Sequence, residues 1–146
     1  MRTVVGKAGR DEIGGILMAE QMRPGTFRVV DFSVDPQTGS TAHFVRSVEQ
    51  HEAELSKFYK RTGDDYARFN YLGEWHSHPN HPPRPSAEDV LSMQSLVHGE
   101  RAIPFAVLMI VRISWWRLAG SATLFQRHER PQQVEMIRST PEVRLV

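Results

Sequence analysis

Two histidines and an aspartate, close together along the chain, are the residue types of a catalytic zinc site. His76 and His78 are one residue apart, and Asp89 follows eleven residues after the second histidine. Zinc binds imidazole nitrogen and carboxylate oxygen readily, and its catalytic sites usually have three protein ligands and a fourth position for water. A water in that position can lose a proton near neutral pH and attack a carbonyl carbon. The spacing therefore favours a hydrolase whose metal is held by His76, His78 and Asp89.

The same residues also have an ordinary structural interpretation. Two histidines at a strand end can be polar residues without a ligand role, and Ser86-x-x-Asp89 is the capping-box pattern of a helix start. Ser86 can cap a helix and still direct its hydroxyl into a cleft. For Asp89 the two roles are harder to combine, because a carboxylate that binds zinc is less available to the helix. We favour the metal site, because Pro79, Ser86 and Asp89 follow the histidines in a compact arrangement.

The elements that position these residues are a strand and the helix that follows it. A strand over 70–76 ends shortly before Pro79, and a helix begins at Ser86 and runs to about Val97. Side chains alternate between the two faces of a strand, so His76 and His78 share one face if the strand continues through them. The proline-rich loop between strand and helix must bend to bring Asp89 back to them.

The rest of the chain supplies further strands and a second helix. Short apolar runs predict strands, and apolar residues three and four apart predict a helix over about 45–61. The predicted strands cover 13–19, 27–32, 105–113 and 115–126, with a short strand or helix near 134–137. Strands with two interleaved helices predict a mixed α/β or α+β layered domain.

Composition limits the classes of function. The 146 residues suit one domain, with 40% apolar residues, 24% charged residues and a formal net charge of +1. That balance gives no electrostatic sign of nucleic-acid binding. The chain has no cysteine, which excludes disulfides, thiolate metal sites and a cysteine nucleophile. We see no secretory signal and no apolar run long enough to cross a bilayer, so we expect a cytoplasmic protein without membrane partners.

Together these motifs resemble the JAMM zinc metalloproteases, also called the MPN-plus or JAB family. The signature is His76-Ser77-His78-Pro79, followed after six residues by Ser86-x-x-Asp89. An upstream Glu12-Ile13-Gly14-Gly15 is similar to the family's glutamate-bearing strand, and Gly73–His76 looks like bacterial members in particular. The resemblance implies a single JAB domain over 1–146, with a central, mostly antiparallel sheet flanked by helices as in the cytidine-deaminase-like fold.

The resemblance also implies a role for each site residue. His76, His78 and Asp89 would hold one zinc ion per chain. Glu12 would accept a proton from the water that zinc activates and deliver it to the leaving amine, a contribution of roughly 100- to 10,000-fold. Ser86 would donate a hydrogen bond to the developing oxyanion, which is commonly worth about 100- to 1,000-fold.

The implied activity is that of an isopeptidase or peptidase that cleaves after the C-terminal tail of a ubiquitin-like protein. A variant would process a sulfur-carrier-like protein, and operon-encoded activating or conjugating enzymes are possible partners. The extended tail could add along a strand edge. The alternative is a catalytically silent scaffold of the same fold that serves as a protein-interaction module.

Several other residues carry weaker expectations. The segment before Glu12, where the resemblance implies a helix, contains Gly6 and Gly9 and is expected to form a shortened helix or a strand. Trp75 is expected to pack behind the metal-bearing strand. Of Trp115 and Trp116, we expect one in the core and one at the surface, rather than a binding platform made of both. His81 could touch the substrate, whereas no site role is expected for His43, His51, His98 and His128.

Overall fold

The computed structural model describes residues 1–35, 48–99 and 103–139. These residues form three helices and six strands. In chain order they are α1 (Arg2–Ala8), β1 (Gly14–Arg23), β2 (Thr26–Phe32), α2 (Val48–Arg61), β3 (Phe69–Ser77), α3 (Ala87–His98), β4 (Phe105–Ser114), β5 (Arg117–Gln126) and β6 (Gln132–Val134).

The strands form one sheet in the order β2-β1-β3-β4-β5-β6. All neighbours are antiparallel except β3 and β4, which run parallel. Parallel neighbours need a crossover connection, and α3 lies in the segment that joins them. The mixed α/β class and the mostly antiparallel sheet flanked by helices are therefore confirmed.

The helices cover the two faces of the sheet. α1 contributes Val5 to a cluster with Leu17, Trp75 and Val111. α3 contributes Met93 and Val97 to a second cluster on β4 and β5, and α2 contributes Phe58 to a third cluster on β1. β4 is thus covered on both faces, which explains its nearly uniform apolar sequence.

Most predicted element boundaries differ from the observed ones by a few residues. The strand predicted over 13–19 continues to Arg23, and the helix predicted from Ser86 has that residue as its N-cap. The helix predicted over 45–61 is observed from Val48, and its first three predicted residues lie outside the described part of the chain. The last element is the three-residue strand β6 rather than a helix.

The N-terminal segment is a helix of seven residues and not a strand. Glycine weakens isolated helices, but tertiary packing stabilises this one, because Met1, Val4 and Ala8 all pack against the cluster that contains Val5. The helix that the resemblance implied is therefore present in shortened form, and it ends at Ala8, ahead of Glu12.

The expectation for Trp115 and Trp116 was wrong. Both form the two-residue turn between β4 and β5, where Ser114 pairs with Arg117, and their side chains are 89% and 86% exposed. The turn projects beyond the packed layers, so neither indole reaches the core. Both residues have positive φ, 47° and 69°, a conformation that costs a residue with a side chain roughly 1–2 kcal/mol.

Within the described residues, no helix is both long and apolar enough to cross a membrane.

Candidate metal centre

The two histidines of the candidate site lie at the carboxyl end of β3. His76 belongs to the strand, and His78 follows its last residue, but the His78 amide still donates to the Val111 carbonyl at 2.9 Å. The alternation of side chains therefore continues through His78, as the sequence predicted. Both histidines are 6% exposed, and their Nε2 atoms are 3.0 Å apart.

Asp89 completes the group from the first turn of α3. Its Oδ1 lies 3.2 Å from His76 Nε2, and its Oδ2 lies 3.6 Å from His78 Nε2. Among the described residues, this trio is the one group of histidine and carboxylate side chains whose ligand atoms converge closely enough to hold a metal ion. The loop with three prolines does bend as the sequence required.

The donor atoms fit a zinc ion. Zinc bonds to nitrogen and carboxylate oxygen are about 2.0–2.2 Å long, so two ligands of one ion lie at most about 4.4 Å apart. The two Nε2 atoms, His76 Nε2 with Asp89 Oδ1, and His78 Nε2 with Asp89 Oδ2 are all closer than that limit. Two imidazoles and one carboxylate are also a common ligand set of catalytic zinc enzymes.

Asp89 combines the two roles that the sequence had set against each other. The Ser86 amide and the Ser86 hydroxyl donate to Asp89 Oδ2 at 2.7 and 2.8 Å, and the Asp89 amide donates to Ser86 Oγ at 3.1 Å. This is a complete capping box. The cap holds the Asp89 carboxylate in place, with Oδ1 directed at His76 and with Oδ2, which also serves the helix, facing His78.

A backbone carbonyl in the proline loop orients His78. The His78 Nδ1 atom lies 3.0 Å from the Pro82 carbonyl oxygen, which can only accept a hydrogen bond. Nδ1 therefore carries a proton, and Nε2 is the nitrogen that would offer its lone pair to a bound metal, an arrangement common among zinc-bound histidines. The sequence predicted a stiff loop here but carried no signal for this carbonyl.

Glu12 lies just ahead of β1, and β1 is paired with β3, the strand that ends in the histidine region. Gly14 pairs with His76, and the Ser77 amide donates to the Ile13 carbonyl at 2.8 Å. The Ser77 hydroxyl in turn accepts from the Ile13 amide at 3.1 Å. Ser77 therefore holds the backbone beside Glu12. The sequence shows Ser77 only as the residue between the two histidines and did not reveal this role.

The two glycines after Ile13 permit this close strand pairing. A Cβ atom on Gly14 would lie 2.3 Å from the Trp75 carbonyl oxygen, and one on Gly15 would lie 2.2 Å from the Ser33 carbonyl oxygen. Both distances are shorter than any real contact, so a larger residue would push β1 away from its neighbours. Trp75 is fully buried behind the histidines, as expected, and its indole N–H donates to the Ser33 carbonyl at 2.8 Å.

The electrostatics of the site suit a cation. Burial disfavours ionisation of Asp89, but hydrogen bonds from His76 and His78 outweigh that effect and hold its pKa well below the usual range. The hydrogen bond with Asp89 raises the pKa of His78 against the opposing effect of burial. Burial raises the pKa of the Glu12 carboxyl, and the imidazoles of His78 and His76 offset part of that shift.

The remaining predicted residues lie at different distances from this centre. Ser86 is exposed at its edge, where its hydroxyl is engaged with Asp89. The His81 ring lies 6.1 Å from the His78 ring, so the prediction that it touches substrate is still open. His98 and His128 pair with each other, His51 is buried in α2, and His43 lies outside the described residues.

Comparisons with known proteins agree with this architecture. Residues 1–128 match the family described as prokaryotic homologs of the JAB domain. No curated protein matches the chain. A solution structure of a protein from Salinibacter ruber (strain DSM 13855) superposes with a TM-score of 0.56 over 97% of this chain and 86% of that one. The two sequences are 22% identical, so that likeness supports the fold alone. The family match covers most of the chain and includes every residue of the centre, and the chain therefore belongs to the prokaryotic homologs of the JAB domain.

Proposed function

We propose that this protein is a zinc-dependent peptidase or isopeptidase. The convergence of His76, His78 and Asp89, with buried Glu12 just ahead of the neighbouring strand β1, is the observation that carries the proposal. A bound zinc ion supplies Lewis acidity, which polarises a carbonyl and lowers the pKa of water. The two imidazoles and the Asp89 carboxylate would hold the ion, and the capping box keeps that carboxylate in position.

The Glu12 carboxylate would act as the proton carrier. It is 4% exposed, and burial raises its pKa toward neutrality. A carboxylate with a raised pKa accepts a proton more readily and can return it to a leaving amine. The backbone of the next residue, Ile13, is anchored to Ser77, which would keep the Glu12 carboxylate beside the histidines while the proton is transferred.

Ser86 would donate a hydrogen bond to the oxyanion of the reacting carbonyl. Its hydroxyl now donates to Asp89 Oδ2 at 2.8 Å, so it must exchange that partner for the substrate oxygen. The Ser86 amide also donates to Oδ2 and would preserve part of the cap during the exchange. Ser86 is exposed, which leaves its hydroxyl accessible to a substrate.

The substrate we propose is a ubiquitin-like or sulfur-carrier-like protein, cleaved after its C-terminal tail. β3 is paired with β1 on one side and with β4 on the other, so the tail cannot add beside the histidine strand. We infer that it reaches the centre across the end of the sheet. A cytoplasmic location and operon-encoded activating or conjugating enzymes as partners belong to the same proposal.

A scaffold of the same fold is the alternative. One observation favours it, because the capping box gives Ser86 and Asp89 a structural role that needs no metal. Zinc content distinguishes the two functions. We expect one zinc per purified chain, lost in the double variant His76→Ala/His78→Ala, whereas an enzyme preparation without stoichiometric zinc would favour the scaffold.

Hydrolysis is tested with fusions of ubiquitin-fold proteins to a C-terminal reporter peptide. We expect the zinc-loaded protein to release the reporter, and the matched variant Glu12→Gln to bind zinc but to release it far more slowly. Equal rates for the two proteins would show that Glu12 is not the proton carrier.

A further inference from the structure

The turn between β4 and β5 exposes two large apolar side chains beyond the sheet. Trp115 and Trp116 are 89% and 86% exposed, and both have positive φ. Two-residue hairpin turns of this kind favour Asn-Gly or similar pairs. Neither core packing nor turn geometry accounts for two tryptophans here, so their exposure itself requires an explanation. Trp115, Trp116 and Arg117 together form what we call the tryptophan tip.

The surroundings of the tip are positively charged. The segment 103–128 contains Arg112, Arg117 and Arg127 and neither aspartate nor glutamate. Arg117 is exposed next to Trp116, and Ile113 packs against α1, which carries Arg2 and Lys7. Tryptophan and arginine are the residues most enriched at binding hot spots. The tip therefore suits a partner with an apolar patch and acidic neighbours.

The tip also lies at the same end of the sheet as the metal centre. β4 runs parallel to β3, and Val111 is level with Ser77. The tip begins four residues farther on, which at about 3.3 Å per residue places it roughly 13 Å beyond the level of the histidines. Arg112 links the two regions, because its guanidinium donates to the His81 carbonyl in the loop beside the site at 3.4 Å.

We propose that the tryptophan tip binds the folded body of the protein substrate while the substrate's tail reaches the metal centre. This rests on the proposed function. A folded domain of about 100 residues has a radius of gyration of about 13 Å, so a body tethered by a short tail lies within reach of the tip. The contacted surface is an apolar patch bordered by aspartate or glutamate.

The test replaces the two tryptophans of the tip by Asn and Gly, the pair that a two-residue hairpin turn favours. The variant Trp115→Asn/Trp116→Gly removes both indoles and suits positive φ, so we expect a melting temperature at or above that of wild type. The probes are reporter fusions of ubiquitin-fold proteins whose bodies range from basic to acidic and share one tail, and the free tail peptide with the same reporter.

We expect wild type to prefer acidic bodies and the variant to lose roughly 30-fold or more in kcat/KM on them, through KM. The free peptide should be cleaved equally by both proteins. Arg117→Glu should reduce the preference for acidic bodies. Met22→Ser is the control, because this exposed methionine lies at the opposite end of the sheet. Equal losses on fusion and free peptide, or no loss on either, would overturn the proposal.

Tryptophan fluorescence separates this inference from the proposed function. The third tryptophan, Trp75, is fully buried, so a change in emission on binding reports the tip. If no fusion is cleaved but an acidic fusion shifts the emission of wild type and not of the variant, the enzyme proposal fails and the docking surface stands. A shift with vesicles of phosphatidylserine and phosphatidylcholine, and none with any fusion, would instead assign the tip to membranes.

Discussion

Two glutamates eight residues apart, Glu12 and Glu20, are equally buried and have opposite electrostatics. Each is 4% exposed. Glu20 lies near the far end of β1, where Arg28 contacts its Oε2 at 2.6 Å and Arg68 Nε contacts its Oε1 at 2.7 Å. These hydrogen bonds hold the pKa of Glu20 below its ordinary value, whereas burial raises the pKa of Glu12.

The difference shows that burial alone does not mark a functional carboxylate. Glu20 is a structural ion, because two guanidiniums from β2 and from the segment before β3 neutralise it. Within residues 1–35, 48–99 and 103–139, no side chain or amide hydrogen-bonds the Glu12 carboxylate, and its nearest charged neighbours are the residues of the candidate metal centre. A carboxyl group whose pKa is shifted and which lies beside candidate metal ligands is typical of a catalytic site.

The largest effect is expected at Asp89, on which the environment of Glu12 depends. Asp89→Ala removes a candidate metal ligand and should weaken zinc binding by more than about 100-fold, the upper end for losing a residue that only supports a ligand. It also removes the Asp89 half of the capping box and so weakens the start of α3, although Ser86 remains the N-cap. Asp89→Asn is the control, because its amide oxygen can still cap the helix. Zinc titration of both variants is the measurement, and unchanged affinity in Asp89→Ala would reduce Asp89 to a helix cap.

Glu12→Gln should lower the rate of hydrolysis by about 100- to 10,000-fold, because it removes the carboxylate that we propose as the proton carrier. Zinc content should be unchanged. Because burial disfavours the ionised form of Glu12, the neutral amide should leave the melting temperature equal or slightly higher. Kinetics, metal analysis and thermal unfolding on one preparation check all three. A marked drop in melting temperature would show that Glu12, like Glu20, stabilises the fold.

Ser77→Ala should affect stability and Glu12 together. The Ile13 amide would lose its buried acceptor, which costs about 1–3 kcal/mol, and the backbone beside Glu12 would be less firmly held. Ser77→Thr keeps the hydroxyl and should restore both properties. If the rate of hydrolysis per folded molecule is the same in wild type and Ser77→Ala, Ser77 stabilises the strands without positioning Glu12.

Glu20→Gln should have the smallest effect on activity and a clear effect on stability. The lowered pKa of Glu20 means that its ion pairs stabilise the fold fully above the ordinary glutamate pKa of about 4.3, and that this contribution is lost as the pH falls below it. We therefore expect Glu20→Gln to have a lower melting temperature than wild type at pH 7. At pH 3.5 the difference between the two melting temperatures should be smaller. Hydrolysis per folded molecule should match wild type. A difference in melting temperature that grows as the pH falls would contradict the stabilising role of the ionised Glu20 carboxylate.

Local patterns in the sequence predicted most of the elements and identified the three residues whose candidate ligand atoms converge. The His-x-His spacing, the capping pattern at Ser86 and the apolar periods depend on neighbours within a few residues, and their consequences appear in β3, α3 and β4. Glu12 and its two glycines were identified through the resemblance, and their packing against Trp75 and Ser33 now explains why glycine is needed there.

Other features depended on contacts between distant segments. The division of the Asp89 oxygens, the anchoring of Ile13 by Ser77 and the Pro82 carbonyl on His78 all follow from the pairing of β1, β3 and β4 and from the path of the proline loop. The same holds for Trp115 and Trp116, whose place in a turn was set by the register of β4 with β5. Residue type and spacing determined which groups this chain can bring to a metal, because those properties are local. Tertiary structure decided which atoms meet, because strand register and crossover geometry join residues up to 64 positions apart.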